Sequence, residues 1–301
     1  MEKVLIIDGN NLLFQMFYGM PSKIYNKSGK TIHATIGFIS ATLRLIKMID
    51  ATRVIVVFDQ DGSQEREELY QDYKGNRENN WDELQPDEVP FNEEENIKKC
   101  LDYLNIKCLY SKNMEADDLI ASLAYLYSDI NKVYVCSYDS DFFQLINENI
   151  SIIKYKGKNS KIIDNHTFIE MFNFSSNKYV FYKSLVGDSA DNIKGISQIG
   201  QKRASKIVST FENFEEFLEN RNVLFSEKLS EVVINEKEKY YLNERMIKLT
   251  YKDEIDYNLN DFIFDKDKIN ETNSQILSIN KVFDWWEGLL WICILKQLLL
   301  Y

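Results

Sequence analysis

The sequence predicts an α/β protein built on a parallel sheet, with a smaller helical region after it. Three short β-branched runs each end at an aspartate: VLIID at 4–8, VIVVFD at 54–59 and VYVCSYD at 133–139. Runs apolar at consecutive positions read as strands covered on both faces, the habit of parallel sheets. Amphipathic stretches of helix length separate them. From about residue 176 the strand-like runs stop and helical spacing takes over.

Residues 34–49 and 92–105 carry apolar positions at helical spacing. So does ADDLIASLAYLY, in which Ala116, Leu119, Ile120, Leu123 and Tyr127 share one face. ISIIKY at 150–155 reads as a further strand near a sheet edge. Residues 60–95 break the pattern. They are polar, carry both charges and hold Pro86 and Pro90, two of the three prolines. A long insertion or a cap over the site is expected there. GISQIG at 195–200 signals a hairpin, 226–250 a charged helical stretch and 251–280 a loop. Residues 281–301 are almost wholly apolar, with no uninterrupted run long enough to span a bilayer. The expected domains are 1–175 (α/β), 176–265 (helical) and 266–301 (an unassigned hydrophobic tail). In open parallel sheets ligands bind beyond the carboxyl ends of the strands, so Asp8, Asp59 and Asp139 mark the expected site.

Composition limits the chemistry. A chain of 301 residues, 45% hydrophobic, forms one or two packed domains and is not disordered. The four apolar residues before Asp8 are too few for a signal-peptide core. Cys100, Cys108, Cys136 and Cys293 show no paired spacing, which predicts free thiols in a reducing cytoplasm and no zinc site. With only His33 and His166 available, chemistry needing several imidazoles is excluded and any catalyst must rely on carboxylates. The formal charge of −11 counts against binding a polyanion. Nine acids proposed below to share one site account for most of it, leaving −2.

EADD at 115–118 sets Glu115, Asp117 and Asp118 at a helix start. Capping would explain one acid there, not three. YDSD places Asp139 and Asp141 two apart after a strand, and GDSADN places Asp188 and Asp191 on one helical face, where a solvated pair is the simpler alternative. So many carboxylates together would repel one another and raise their pKa values unless cations sat among them. Oxygen ligands without His or Cys select Mg²⁺ or Mn²⁺. Two such ions about 4 Å apart suit phosphodiester hydrolysis.

DGNNLLF at 8–14, FDQDGSQEREELYQDYKGNR at 58–77, EADDLIASL, SYDSDFFQL and GDSADNIKGISQIGQKRA resemble, in order and spacing, the bacteriophage 5′→3′ exonucleases and flap endonucleases and the 5′-nuclease domain of bacterial DNA polymerase I. The likeness runs over about residues 1–265. It implies a PIN-like nuclease domain with a helical arch at about 60–95 and a helix–hairpin–helix DNA-binding domain. The metal ligands it implies are Asp8, Asp59, Glu115, Asp117, Asp118, Asp139, Asp141, Asp188 and Asp191. Lys74 and Arg77 would act on the scissile phosphate, with Arg66 assisting and Tyr73 stacking on an unpaired base. Gly195 and Gly200 would permit the hairpin turn, Lys202, Arg203 and Lys183 would meet DNA, and a potassium ion would bridge hairpin carbonyls to a duplex phosphate.

The sequence departs from the family at Gln15, where a basic residue is usual; Lys23 or Lys27 are the expected replacements. The implied protein is a monomeric, non-membrane nuclease of a bacterial or phage-infected cytoplasm. It would cut DNA near 5′ flaps and 5′ ends, and RNA primers too, leave 5′ phosphates, and work beside a polymerase in replication and repair. A branched-DNA-binding protein without catalysis and a structure-specific RNase are the alternatives.

Overall fold

The computed structural model describes residues 1–59, 83–111, 114–224, 226–251 and 257–265. Its centre is a six-stranded sheet in the order β3-β2-β1-β4-β5-β6. The strands are β1 (Lys3–Asp8), β2 (Arg53–Phe58), β3 (Lys107–Tyr110), β4 (Lys132–Cys136), β5 (Ile150–Lys154) and β6 (Lys161–Ile163). The first five are parallel, and β6 closes the edge antiparallel to β5. ISIIKY is therefore the second strand from that edge. The short β3, KCLY, has no apolar run to announce it.

Alternation along the strands divides the core. Val4, Ile6, Ile55, Val57, Val133 and Val135 face one side, where they pack with α4 (Ala116–Ser128). Leu5, Ile7, Val54 and Val56 face the other, against α1 (Gly9–Gly19), α2 (His33–Ile49) and α3 (Glu94–Tyr103). Both faces are covered, which is why the strand sequences are apolar throughout. The strand order reverses at β1: β2 and β3 lie to one side of it, β4 and β5 to the other. Such a switch point opens a crevice at the carboxyl ends, between β1 and β4.

Beyond the sheet come α5 (Asn165–Phe172), α6 (Tyr179–Val186), a two-stranded ribbon of β7 (Gly187–Asp188) and β8 (Ile193–Lys194), α7 (Gln201–Thr210), α8 (Phe214–Asn220), α9 (Glu227–Asn235) and α10 (Lys237–Ile247). Phe143, Phe168, Phe172, Phe174, Tyr179 and Tyr182 interlock as rings about 5–6 Å apart and join these helices to the sheet's core. The core continues to Phe214 and Tyr240, stacked at 3.6 Å.

Of the expected insertion at 60–95, residues 60–82 lie outside the described residues. Its described end, 83–95, is docked on the body by two short 3₁₀ turns, Pro86–Glu88 and Pro90–Glu93. Glu93 is fully buried, and one of its carboxylate oxygens accepts from the Thr35 amide and hydroxyl, both at 2.8 Å. Its other oxygen lies 3.2 Å from Nδ1 of buried His33. Lys23 donates to Asp87 at 2.8 Å, so this candidate replacement for a phosphate-binding residue is engaged elsewhere. Gln15 donates to the Tyr155 carbonyl at 2.6 Å. Arg66, Tyr73, Lys74 and Arg77, and the tail at 266–301, lie outside the described residues. Among the described residues no helix is long and apolar enough to cross a membrane. Among the described residues Cys100, Cys108 and Cys136 form no disulfide, and burial pushes Cys108 up to about 12.

Candidate active site

Parallel pairing brings three aspartates to one crevice. Asp8 ends β1, Asp59 follows β2 and Asp139 follows β4, the strands on either side of β1. Gly9 makes the close approach possible: a Cβ there would lie 2.7 Å from the Phe58 ring and the Val57 carbonyl. Asn10 accepts from the Asp59 amide at 2.9 Å and Asn11 from the Tyr138 amide at 3.0 Å. The two asparagines of DGNN thus stitch β2 and β4 to the start of α1.

Asp8 is the N-cap of α1. One oxygen accepts from the Asn11 amide at 3.0 Å, the other from the Ser137 hydroxyl at 2.7 Å. Burial pushes its carboxyl up to about 6; those two hydrogen bonds work against the rise, and the charges of Asp139 and Asp59 add to it. Ser111 donates to Asp59 at 3.0 Å. The Asp139 amide donates to Ser137 at 3.0 Å, and its carboxylate accepts from the Asp141 amide at 2.8 Å, which aims this loop.

Glu115, Asp117 and Asp118 open α4. Glu115 is buried at the N-cap position yet makes no side-chain capping bond, so capping does not explain it. Asp118 accepts from the Thr250 amide at 2.9 Å, which ties the segment after α10 to the site. Gln144 holds the same segment, donating to the Ile247 carbonyl and accepting from the Leu249 amide.

A second group forms where α6 and the ribbon meet the loop after β4. Asp141, Asp188 and Asp191 each present a carboxylate oxygen within 4.8 Å of the others, a spacing that could hold a cation. The Lys183 ammonium lies among them, bonded to Asp141, to Asp188 at 2.5 Å and to Ser140 at 2.9 Å. Burial opposes its charge, but Asp141, Tyr179 and Asp188 hold it well above the usual lysine range. Asp188 is held below the carboxylate range because Lys183 and the Ala190 amide outweigh its burial. Burial lifts Asp141 to about 7 even against Lys183, since one ammonium cannot balance every neighbouring carboxylate. In this structure Lys183 is an internal counter-charge, 5% exposed.

Lys154, at the end of β5, escaped sequence reasoning. Its ammonium donates to the Asp139 carbonyl at 3.0 Å and lies 4.8 Å over the Phe143 ring. Burial draws it down to about 8, against the pull of Asp139. Asn10, Asn11, Ser111 and Ser137 also escaped, because small polar residues leave no periodic trace.

The hairpin is built otherwise than expected. Its left-handed residue is Gln198, at φ 65°, and neither Gly195 nor Gly200 has a positive φ. Gly195 is required by contact instead: a Cβ there would lie 2.3 Å from the Val186 carbonyl. Gly200 is the N-cap of α7 in open space, and Lys202 and Arg203 are exposed in the first turn. The Arg203 guanidinium donates to the Gln198 carbonyl at 2.6 Å.

Carboxylates gathered at the switch point of a parallel sheet, with a helical hairpin region behind, define an α/β fold whose acids could hold cations. The chain belongs to the 5′-3′ exonuclease family. Residues 3–173 match the family's N-terminal resolvase-like domain and 174–270 its C-terminal SAM fold. It is 31% identical over 226 residues to a 5′-3′ exonuclease of Mycoplasmopsis pulmonis, covering 74% of this chain and 72% of that one. It is 28% identical over 278 residues to DNA polymerase I of Lactococcus lactis, covering 90% of this chain but only 31% of the polymerase. In fold it is similar to the bacteriophage T5 5′-exonuclease with zinc bound (TM-score 0.69, 22% identity, 92% of this chain, 99% of that one). It is likewise similar to the catalytic core of Rad2 in complex with DNA substrate (TM-score 0.63, 16% identity, 99% of this chain, 93% of that one).

Proposed function

We propose that this nuclease hydrolyses DNA phosphodiesters near free 5′ ends, as a 5′→3′ exonuclease and flap endonuclease that leaves 5′ phosphates. The observation that carries the reading is the convergence of Asp141, Asp188 and Asp191 within 4.8 Å, in a chain of this family. The donors are carboxylate oxygens, with Ser111 and Ser137 behind them, and this set fits Mg²⁺ or Mn²⁺. Asp141, Asp188 and Asp191 would hold one ion; Asp8, with Asp59, Glu115, Asp117, Asp118 and Asp139, would hold another. Bound divalent cations supply Lewis-acid activation of water and neutralise charge at the phosphate.

The chain's own groups do the rest. Ser137 and Asn11 fix the Asp8 carboxylate, and Lys183 keeps Asp141 and Asp188 together. Lys74 and Arg77, by the family resemblance, contact the scissile phosphate, with Arg66 and Tyr73 guiding the 5′ end. Lys202 and Arg203 meet duplex phosphates without reading bases. The proposed division is 1–175 for catalysis and 176–265 for DNA, in a cytoplasmic monomer serving replication and repair beside a polymerase.

The test is a 5′-labelled flap duplex with Mg²⁺, using wild type and Asp188→Ala. Binding is measured in parallel with Ca²⁺. Cleavage by wild type, lost in Asp188→Ala with binding retained, supports the reading. Tight binding without cleavage by the wild type would leave a branched-DNA-binding protein, and preference for a matched RNA substrate would make it an RNase.

A further inference from the structure

The helix–hairpin–helix region raises a question about the potassium ion expected there. A monovalent cation at such a hairpin needs main-chain carbonyls turned outward and open. Here four of the hairpin carbonyls, those of Lys194, Gly195, Ile196 and Gln198, meet groups of the protein itself. The Gly195 carbonyl accepts from the Lys239 ammonium at 2.5 Å. The Lys194 carbonyl accepts from Asn243 at 3.0 Å, Gln198 from Arg203 at 2.6 Å, and Ile196 from the Ile199 amide at 3.0 Å.

Three of the anchoring groups come from one side of one helix. Glu236, Lys239 and Asn243 stand at the N-cap and along α10 at spacings of three and four, so they share a face. Glu236 accepts from the Ser197 amide at 3.0 Å and also pairs with Lys239 at 3.3 Å. Asn243 is buried and also donates to the Ser184 carbonyl, which locks the hairpin to α6. The ribbon is pinned too, since Gly187 and Gly195 approach so closely that a Cβ on Gly187 would lie 2.3 Å from the Gly195 amide. The hairpin is thus held in shape from behind before any ligand arrives.

We infer that Lys239 takes the place of a monovalent cation at this hairpin, so that its grip on duplex DNA needs no potassium. An ammonium on a carbonyl oxygen supplies the same charge–dipole attraction as a bound ion. Being covalently attached, it is present at any salt composition. Lys239 is a positioning residue in this account: it holds the Gly195 carbonyl while the amides opening α7, with Lys202 and Arg203, face the phosphate. The inference rests on the proposed duplex contact only for its functional consequence.

The test has two arms. In the first, affinity for a flap duplex is measured in Ca²⁺ at fixed ionic strength, in potassium and then in tetramethylammonium. Wild type should bind equally in both. Lys239→Met should lose about tenfold in tetramethylammonium, the loss of one charged hydrogen bond, and regain most of it in potassium. A clear loss by wild type on removing potassium, or a variant that behaves as wild type in both salts, overturns the inference. The second arm needs no DNA: crystals soaked in thallium(I) should show no anomalous peak at the wild-type hairpin and one in Lys239→Met. A peak against the wild-type carbonyls overturns the inference even if Lys239→Met fails to fold. Failure to bind duplex in either salt would instead count against the proposed function, and the thallium result would still decide the inference.

Discussion

Asp8 shows what the site costs the fold when no metal is present. Its carboxyl is buried and pushed from 3.8 up to about 6. A carboxyl with a raised folded-state pKa binds protons more tightly in the native than in the unfolded chain. Its contribution is therefore most favourable below pH 3.8 and is lost as pH rises through about 6. A rise of about two units corresponds to about 3 kcal/mol of destabilisation at pH 8. Asp8→Asn removes the ionisation. It keeps an oxygen for the Asn11 amide but loses the acceptor for Ser137, which costs about 1 kcal/mol. The net gain is about 2 kcal/mol, or a rise in Tm of about 3 °C for a fold of this size. Thermal melts in EDTA should show this gain at pH 8 and almost none at pH 5. Mg²⁺ should raise the wild type by more than Asp8→Asn, which keeps the Asp141, Asp188 and Asp191 group. An Asn variant less stable than wild type at pH 8 in EDTA would refute the reasoning, since burial of charge would then not be the dominant effect.

Other changes follow from the same structure. Lys183→Met strands Asp141 and Asp188 without their cation and should cost about 3–5 kcal/mol in EDTA, read from urea midpoints, with Mn²⁺ restoring part of the loss. Gly195→Ala drives a methyl into the Val186 carbonyl and should destabilise by about 3 kcal/mol, whereas Gly200→Ala, in open space, should stay within about 1 kcal/mol. Equal effects of the two in urea would remove the contact argument. Glu93→Ala leaves the buried Thr35 amide and hydroxyl without an acceptor and should cost about 3 kcal/mol by the same measurement. Limited proteolysis should then show faster cleavage around 83–95, and unchanged protection would argue that Glu93 does not hold this segment.

Much of the fold could be read because its strands are long and apolar on both faces. VLIID, VIVVF and VYVC have no other stable home than a covered parallel sheet, and an aspartate closing each run marks the crevice. The short β3 and β6 carried no such signal, since KCLY and KII gain their strand identity only from the neighbours they pair with. At the site the charged residues were legible and their supports were not. Asn10, Asn11, Ser111 and Ser137 act through single hydrogen bonds across the sheet, which no local pattern encodes. Lys154 reads as the polar end of a strand, and only the register beside β4 brings it to Asp139. The glycines of the hairpin suggested a turn residue, but the left-handed position fell to Gln198, and Gly195 serves close packing. That distinction depends on where Val186 lies.

The most direct measurement is anomalous scattering from crystals grown in saturating Mn²⁺. Peaks in contact with Asp141, Asp188 and Asp191, and beside Asp8 at the end of β1, are the result expected. Saturated crystals with no peak touching any of these carboxylates would contradict the metal-dependent mechanism.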